Sequence, residues 1–433
     1  MKVLLLCDYR WSHAPTITDH INSLLRYSEN SVYRYSGLVE NNGDLPDWLN
    51  LDVFDAVIVH YSIFVAVEHY LSDKSKARLA QYQGVKAVFL QDEYRFVNKS
   101  IEGINTVGAD IIFTCVPEKG IPQVYPPEQV GGAKAVNVLT GYVSDALKNI
   151  PPKELGERKY DVSYRGRKYP AWHGRLGREK WEIAKQFKKK TRWKGLKTNI
   201  SYREKDRVHG ANWVELIRNS RSVLGVESGA SVFDFTGEIS TSVETISYLL
   251  GEKRFDYDQV REDYFADLED KIGLEQISPR VFEAISLRTL CILYEGDYSG
   301  VVKANEHYLP LKKDFSNIDE VCKKLKDDYY VAEIVKNAYV ELVHSEKYSN
   351  QSFVKLFDAE LSAAQAKKVL AGGTKRKGLG GRVIAELEKS NPPMMQFPYS
   401  YAPSRAAGMV ARARSVLPQG LNIKLKNLVR GNG

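Results

Sequence analysis

The sequence predicts an α/β protein: two doubly wound parallel-sheet domains in series, facing each other across a cleft, followed by a basic C-terminal tail. Three observations carry this expectation. At 433 residues the chain is longer than one ordinary core organises and long enough for two domains and an extension. Short β-branched apolar runs alternate with helical patterns as far as about residue 346, the signature of a parallel sheet covered on both faces. The alternation is interrupted once, at Asn149-Ile-Pro-Pro-Lys153, which reads as a linker, and resumes at Tyr160. No internal repeat is visible, so the halves are expected to share topology alone.

In the first half, strands are expected at residues 3–7, 56–60, 87–91, 110–115 and 136–139, with helices at 17–27 and 74–82. The apolar run at the N-terminus stops at Cys7, and Asp8, Tyr9 and Arg10 follow at once, so it reads as a first strand and not as a secretion signal. In the second half, strands are expected at 160–164, 222–226 and 290–294. Helices are expected at 177–189, 212–220, 279–287, 318–326 and 330–346. The domains are therefore placed at 1–148 and 155–365. From Ala371 glycines and prolines break the pattern, and 366–433 is expected to be mostly disordered, with residues 406–417 able to form a short basic amphipathic helix.

Charge divides along the same line. Residues 365–433 hold thirteen Lys or Arg against Glu386 and Glu388, a net +11, which leaves −3 for residues 1–364 of a chain whose total is +8. The positive charge belongs to the tail, and an anionic membrane surface is the partner expected for it, alongside a purely solubilising role. Nucleic acid ranks lower, because only Phe397, Tyr399 and Tyr401 interleave aromatic rings with the basic residues. No apolar stretch reaches the roughly 18 residues of a membrane span, so a soluble or peripheral protein is expected. Cys7, Cys115, Cys291 and Cys322 have no metal-ligand spacing and read as small buried hydrophobes in a reducing, cytoplasmic setting.

The sharpest motif is Glu275-Gln-Ile-Ser-Pro-Arg-Val-Phe-Glu283, followed by the run 290–294. Pro279 suits the first turn of a helix and Ser278 its N-cap, placing Glu275 in the preceding loop and Glu283 on the second turn. Orphan N–H groups and the dipole at such a helix start favour a diphosphate. Two glutamates eight apart are common, and Glu283 on a solvent face is the plain alternative. A second cluster, Tyr164-Arg-Gly-Arg167 with Arg175, Arg178 and Lys180, follows the run that opens the second half, offering planar forks and a point charge for phosphate oxygens. Its plain alternative is a solvated basic face continuing through Lys188, Lys189 and Lys190. A third stretch, Gly225-Val-Glu-Ser-Gly-Ala-Ser231, has small residues after a strand, with Ser228 and Gly229 as candidates for close backbone approach or simply a tight turn.

These residues resemble the E-x7-E motif of retaining glycosyltransferases with the GT-B fold, and the run from Ile277 through Glu295-Gly-Asp-Tyr-Ser-Gly300 to Ser316 looks like the CgeB-like branch. The resemblance implies two Rossmann-like domains. It also implies that Glu275 contacts the donor sugar, that Glu283 binds the ribose, and that Arg167 and Lys180 hold the donor diphosphate; Arg165, Ser278 and Arg280, from their chemistry and place, are further donor-binding candidates. The sequence departs from the family in having Arg288 where a glycine is usual, and an insertion over 232–274.

On the acceptor side, Gln91-Asp-Glu-Tyr94 ends an expected strand, and open α/β sheets hold ligands at strand carboxyl ends, which makes Asp92 and Glu93 candidates for catalysis or acceptor binding. Asp8 with the 11–16 loop, and Thr140-Gly-Tyr142, end strands in the same way. His13 and His20 match no metal spacing, and Phe255-Asp-Tyr-Asp258 follows no apolar run, so neither a metal nor any cofactor beyond the nucleotide-sugar donor is expected. The expected activity is glycosyl transfer from a nucleotide diphosphate sugar to a carbohydrate or lipid-linked hydroxyl, in surface glycan or glycoconjugate synthesis. Two alternatives stand beside it. A sugar-nucleotide epimerase would consume donor without acceptor, and a non-catalytic binding protein would bind no donor.

Overall fold

The computed structural model describes residues 1–10, 15–372 and 380–391. Two all-parallel sheets form its frame. The first is built from β1 (Lys2–Leu6), β2 (Ser31–Tyr35), β3 (Ala56–Val59), β4 (Val85–Phe89), β5 (Ile111–Thr114) and β6 (Lys134–Asn137), in the order β2-β1-β3-β4-β5-β6. The second is built from β7 (Tyr160–Arg165), β8 (Thr198–Ser201), β9 (Ser220–Gly225), β10 (Leu290–Tyr294) and β11 (Leu309–Leu311), in the order β11-β10-β9-β7-β8.

Each sheet is doubly wound and Rossmann-like, as expected, and the period-two rule explains why its strands read as unbroken apolar runs. Leu4, Leu6, Val57, Val59, Val88 and Ile112 enter the core on one face of the first sheet. Val3, Leu5, Ile58, Phe89, Ile111 and Phe113 enter the core on the other. In the second sheet Val223, Cys291 and Leu293 face one layer, and Val162, Leu224, Leu290 and Ile292 the opposite one. All four cysteines are free and buried, as their apolar settings imply.

Three strands escape the sequence reading: β2, β8 and β11. All three are edge strands, each with a single hydrogen-bonded neighbour. The expected insertion is also more ordered than its text suggests. It holds a helix Glu238–Arg254, whose axis breaks at Gly251, and a helix Tyr257–Tyr264 capped by Asp256. Its Val243, Val260 and Phe265 join the core layer of the first sheet, and Asp234 forms a parallel bridge with Arg95. The insertion thus ties the two halves together.

The C-terminal segment corrects the expectation of irregular chain from residue 366. The helix Asn350–Leu370 runs through that point, because Phe353, Val354, Phe357 and Leu361 make a stripe at helical spacing that covers the first sheet, not the second. A further helix, Gly381–Ser390, buries Leu387 in the opposite layer of the same sheet. The expected helix at 406–417 and residues 11–14 lie outside the described residues. Among the described residues no helix is long and apolar enough to cross a membrane.

Candidate functional site

A cleft of about 340 Å³ opens at the carboxyl ends of the second sheet, where the first half faces it. Strand β7 delivers its floor. After Arg165 comes Gly166, where a Cβ would meet the Lys180 carbonyl at 2.5 Å, so only glycine lets the chain turn here against the helix Gly174–Lys190. Arg167 and Tyr169 follow, and Lys180 reaches in from that helix. Lys180 Nζ donates to the Gly229 carbonyl at 2.8 Å and lies 4.3 Å from the Tyr169 ring centre, while the Arg167 guanidinium stands 4.5 Å from the same ring.

Burial and charge together set the electrostatics of this corner. Burial lowers the Lys180 pKa, against the pull of Tyr169 and Asp92. Burial works to raise the Tyr169 phenol, yet Lys180, Arg167 and Arg280 outweigh it and hold that pKa below the ordinary value. Three cations therefore converge on one point. Arg280 comes from the helix Pro279–Ser286, hydrogen-bonds the Arg165 carbonyl and lies 5.3 Å from the Trp213 ring. Ser278 is the N-cap of that helix and Pro279 its first residue, as expected. The Ser278 side chain makes no capping bond, Pro279 carries no N–H and the Val281 amide turns back to the Ser278 carbonyl at 2.9 Å, which leaves the Arg280 amide as the first-turn donor for a ligand.

Glu283 lines the same cleft, one turn into the helix. Its Oε2 accepts from Trp213 Nε1 at 2.8 Å; burial raises its pKa, and the Trp213 bond and Arg280 moderate that rise. Ser228 lines the cleft, and its backbone pairs with Gln276 in an antiparallel bridge that holds the loop against the helix start. Gly229, at φ +92°, adopts a conformation few other residues take and points its carbonyl at Lys180.

Other expected residues stand elsewhere. Glu275 does not line the cleft: its backbone is left-handed at φ +27°, and its carboxylate lies 3.6 Å from Arg175 Nη2. Arg165 lines the cleft, but its guanidinium donors are spent on the Asp206, Tyr164 and Asn199 carbonyls and the Asn199 side chain, clamping β7 to β8. Glu93 is buried, with one oxygen held by the Cys115 amide at 2.7 Å and the other by the Thr114 and Tyr125 hydroxyls. That carboxylate fastens β5 to the loop beyond it, and nothing of it faces the cleft. Asp92, left-handed at φ +56°, accepts from the Tyr94 hydroxyl at 3.2 Å and is close enough to Lys180 to influence its charge.

Thr140 and Gly141 join the halves at the helix start: Thr140 Oγ1 hydrogen-bonds the Ile277 carbonyl, and a methyl group on Gly141 would come within 2.9 Å of Pro279. Beside them lies a small polar hollow of about 30 Å³ that shares Thr16, Leu147, Pro279 and Glu283 with the cleft and adds Asp19, His20 and Asn350. Asp19 accepts from Asn350 Nδ2 at 3.0 Å, and burial raises its pKa to about 6. His20 is a core histidine, 3.0 Å from His60, with burial lowering it to about 3. His13 lies outside the described residues. Asp256 caps a helix and Asp258 pairs with Arg178. Among the described residues one group, Glu306, His307 and Glu341, has metal-ligand atoms within 4.8 Å, but the Lys303 ammonium already stands 3.3 Å from both carboxylates.

Sequence reasoning missed Tyr169, Trp213, Glu227 and Asp19. Glu227 lines the cleft within the Gly225–Ser231 stretch already singled out; its Oε1 accepts from the Asp297 amide at 2.7 Å, and burial raises its pKa. Trp213 and Asp19 carry no local signal, since their partners Glu283 and Asn350 stand 70 and 331 positions away; Tyr169 lies beside Arg167, but its place between three cations depends on Arg280, 111 positions on.

No family model matches the chain, and no curated protein matches it in sequence. Solved structures do resemble it. Anabaena Alr3699/HepE in complex with UDP aligns at 12% identity over 84% of this chain and 100% of that one, with TM-score 0.45. The DNA-modifying enzyme β-glucosyltransferase aligns at 10% identity over 84% and 100%, TM-score 0.48. An α-glucosyltransferase in complex with UDP and a 13-mer DNA aligns at 10% identity over 83% and 99%, TM-score 0.47. With every score under 0.5, neither substrate nor mechanism transfers from these proteins, and the two-sheet architecture stands on this chain's own strand order.

Proposed function

We propose that the chain transfers a glycosyl group from a nucleoside diphosphate sugar to a hydroxyl acceptor. One observation carries the reading: Arg167, Lys180 and Arg280 converge on the open N-terminus of the helix Pro279–Ser286, at the carboxyl ends of the second sheet. Cations and helix N–H groups gathered in a partly enclosed cleft are what a departing diphosphate requires. In the step itself the bond from the sugar carbon to the phosphate oxygen breaks with its electron pair going to that oxygen, the acceptor oxygen bonds to the carbon, and the acceptor loses its proton. Charge on the leaving group is balanced by side chains and the helix terminus, without a bound metal.

Glu283, beside Trp213, takes the ribose hydroxyls, as the E-x7-E resemblance implies, and Ser228 a phosphate oxygen. Glu227 reaches the cleft where Glu275 does not, and takes the contact to the donor sugar; Glu275 holds Arg175. Asp92 borders the acceptor side. Retention of configuration, and an acceptor in surface glycan or glycoconjugate synthesis, belong to the same proposal and rest on the resemblance.

Calorimetric binding of a panel of nucleosides, nucleoside diphosphates and nucleotide sugars, without metal, tests it. A diphosphate should bind wild type, and Glu283→Ala should weaken it by about 10- to 100-fold, the loss of a hydrogen bond to a charged group. Silence across the whole panel overturns the reading, and donor consumed without acceptor turns it into an epimerase.

A further inference from the structure

The helix Gly174–Lys190 meets the cleft at Lys180 and, at about 1.5 Å per residue over the ten residues that follow, ends roughly 15 Å away from it. Its last turn and the turn that follows, residues 185–197, contain Lys185, Lys188, Lys189, Lys190, Arg192, Lys194 and Lys197 and no acidic residue. Six of these seven are exposed; the Lys194 ammonium pairs with Asp319, and at Lys197 it is the backbone amide, not the ammonium, that meets a carboxylate, donating to Asp161 at 2.7 Å. Lys326 adds its ammonium by donating to the Lys194 carbonyl at 3.1 Å. At the tip stands Trp193, 86% exposed, the most exposed aromatic side chain among the described residues, with the Arg192 guanidinium 4.8 Å from its ring.

Unpaired lysines packed along one turn repel each other, and an indole left in water forgoes the burial that ordinarily places tryptophan. Both costs fall away on one kind of surface. An anionic bilayer attracts the cations, and its headgroup layer takes an indole whose ring is apolar and whose N–H stays wet. The shape agrees: a protruding helix end and turn meets a plane, whereas a single nucleic-acid strand is held in a groove. We infer that residues 185–197 dock the protein on anionic lipid surfaces, with Trp193 inserted among the headgroups and Lys185, Lys188, Lys189, Lys190, Arg192 and Lys197 around it. This surface is distinct from the basic segment beyond residue 365. Lys197 immediately precedes β8, so the patch lies at the amino ends of the second sheet and the cleft at the carboxyl ends. A docked molecule therefore holds its cleft toward the water.

The test is partition of the full chain onto phosphatidylcholine vesicles with and without phosphatidylserine, and quenching of tryptophan emission by brominated acyl chains. Binding should require phosphatidylserine and weaken with salt. Quenching should be lost in Trp193→Phe, and Lys188→Ala/Lys189→Ala/Lys190→Ala should lower partition by about fivefold per lysine, on the order of 100-fold in all. Both variants should keep the wild-type melting temperature. Unchanged partition in the lysine variant, unchanged quenching in Trp193→Phe, or no vesicle binding alongside binding of a single-stranded oligonucleotide that the lysine variant loses, each overturns the inference.

Discussion

Two arginines separated by one glycine show how the same side chain takes opposite roles. Arg165 ends β7 facing the neighbouring strand and spends its donors on carbonyls, while Arg167, one step past the turn, faces the cleft. The sequence reading named both, and also Lys180, Arg280 and Glu283, because residue type and position after a strand limit what can reach a ligand. It could not separate them, since the direction of a side chain depends on a turn that Gly166 makes possible only against Lys180. Glu275 and Glu93 failed for a related reason: a left-handed backbone aims the first at Arg175, and a strand bond pattern encloses the second. Asp19 is the residue whose chemistry is most exposed to experiment. Its folded pKa of about 6 lies above the ordinary 3.8, through burial chiefly and Asp145, against Asn350, Ser144 and Arg26. Folding therefore takes up a proton between those values, and stability falls as pH rises through that window. Asp19→Asn should abolish that slope and raise stability by up to about 2 kcal/mol above pH 6, seen in melting temperatures from pH 4 to 7. A slope unchanged in Asp19→Asn excludes this carboxyl as its source.

At the level of elements, the central strands were legible, while of the four edge strands only β6 was read and β2, β8 and β11 were not. A strand with neighbours on both sides and helices on both faces must be apolar throughout, as Ala-Val-Ile-Val in β3 is. An edge strand needs neither, and Thr-Asn-Ile-Ser in β8 or Leu-Pro-Leu in β11 carries no more signal than a loop. The helix Pro279–Ser286 was read almost to the residue, because Ser278 and Pro279 mark its start by their own chemistry. What holds that helix in place comes from the other half. Gly141 lies against Pro279 so closely that a methyl group has no room, and Thr140 bonds the Ile277 carbonyl. Gly141→Ala should therefore shift the helix start, costing about 1 to 3 kcal/mol of stability and weakening nucleotide binding together with it. Thermal melts and calorimetry on one variant read both, and a loss of stability with unchanged binding would show the contact to be structural only.

For the whole molecule, the sequence disclosed two halves in series but not that the chain returns. The helix Asn350–Leu370 reads as an ordinary amphipathic segment, and nothing local says which sheet its stripe will cover. In the structure Phe357 lies 5.9 Å from Phe89 and 5.7 Å from Phe113, ring centre to ring centre, and completes the first core. Phe357→Ala should cost about 3 to 5 kcal/mol, and by its place should unfold the first half ahead of the second, visible as a split transition in calorimetry. Where the chain crosses into the second half and where it crosses back, the two passages run side by side, with the Val143 amide donating to the Tyr348 carbonyl at 2.9 Å. During synthesis this return inverts the usual order of events. The amino-terminal sheet leaves the ribosome first yet lacks its cover until Leu361 has emerged, while the second sheet, contained between those crossings, has all its strands and their helices by then. The part made first is thus the part finished last, and its face, until then covered in part by the helix Pro15–Tyr27, must be kept from other nascent chains for the time taken to make more than 200 further residues, on the order of 10 to 40 seconds.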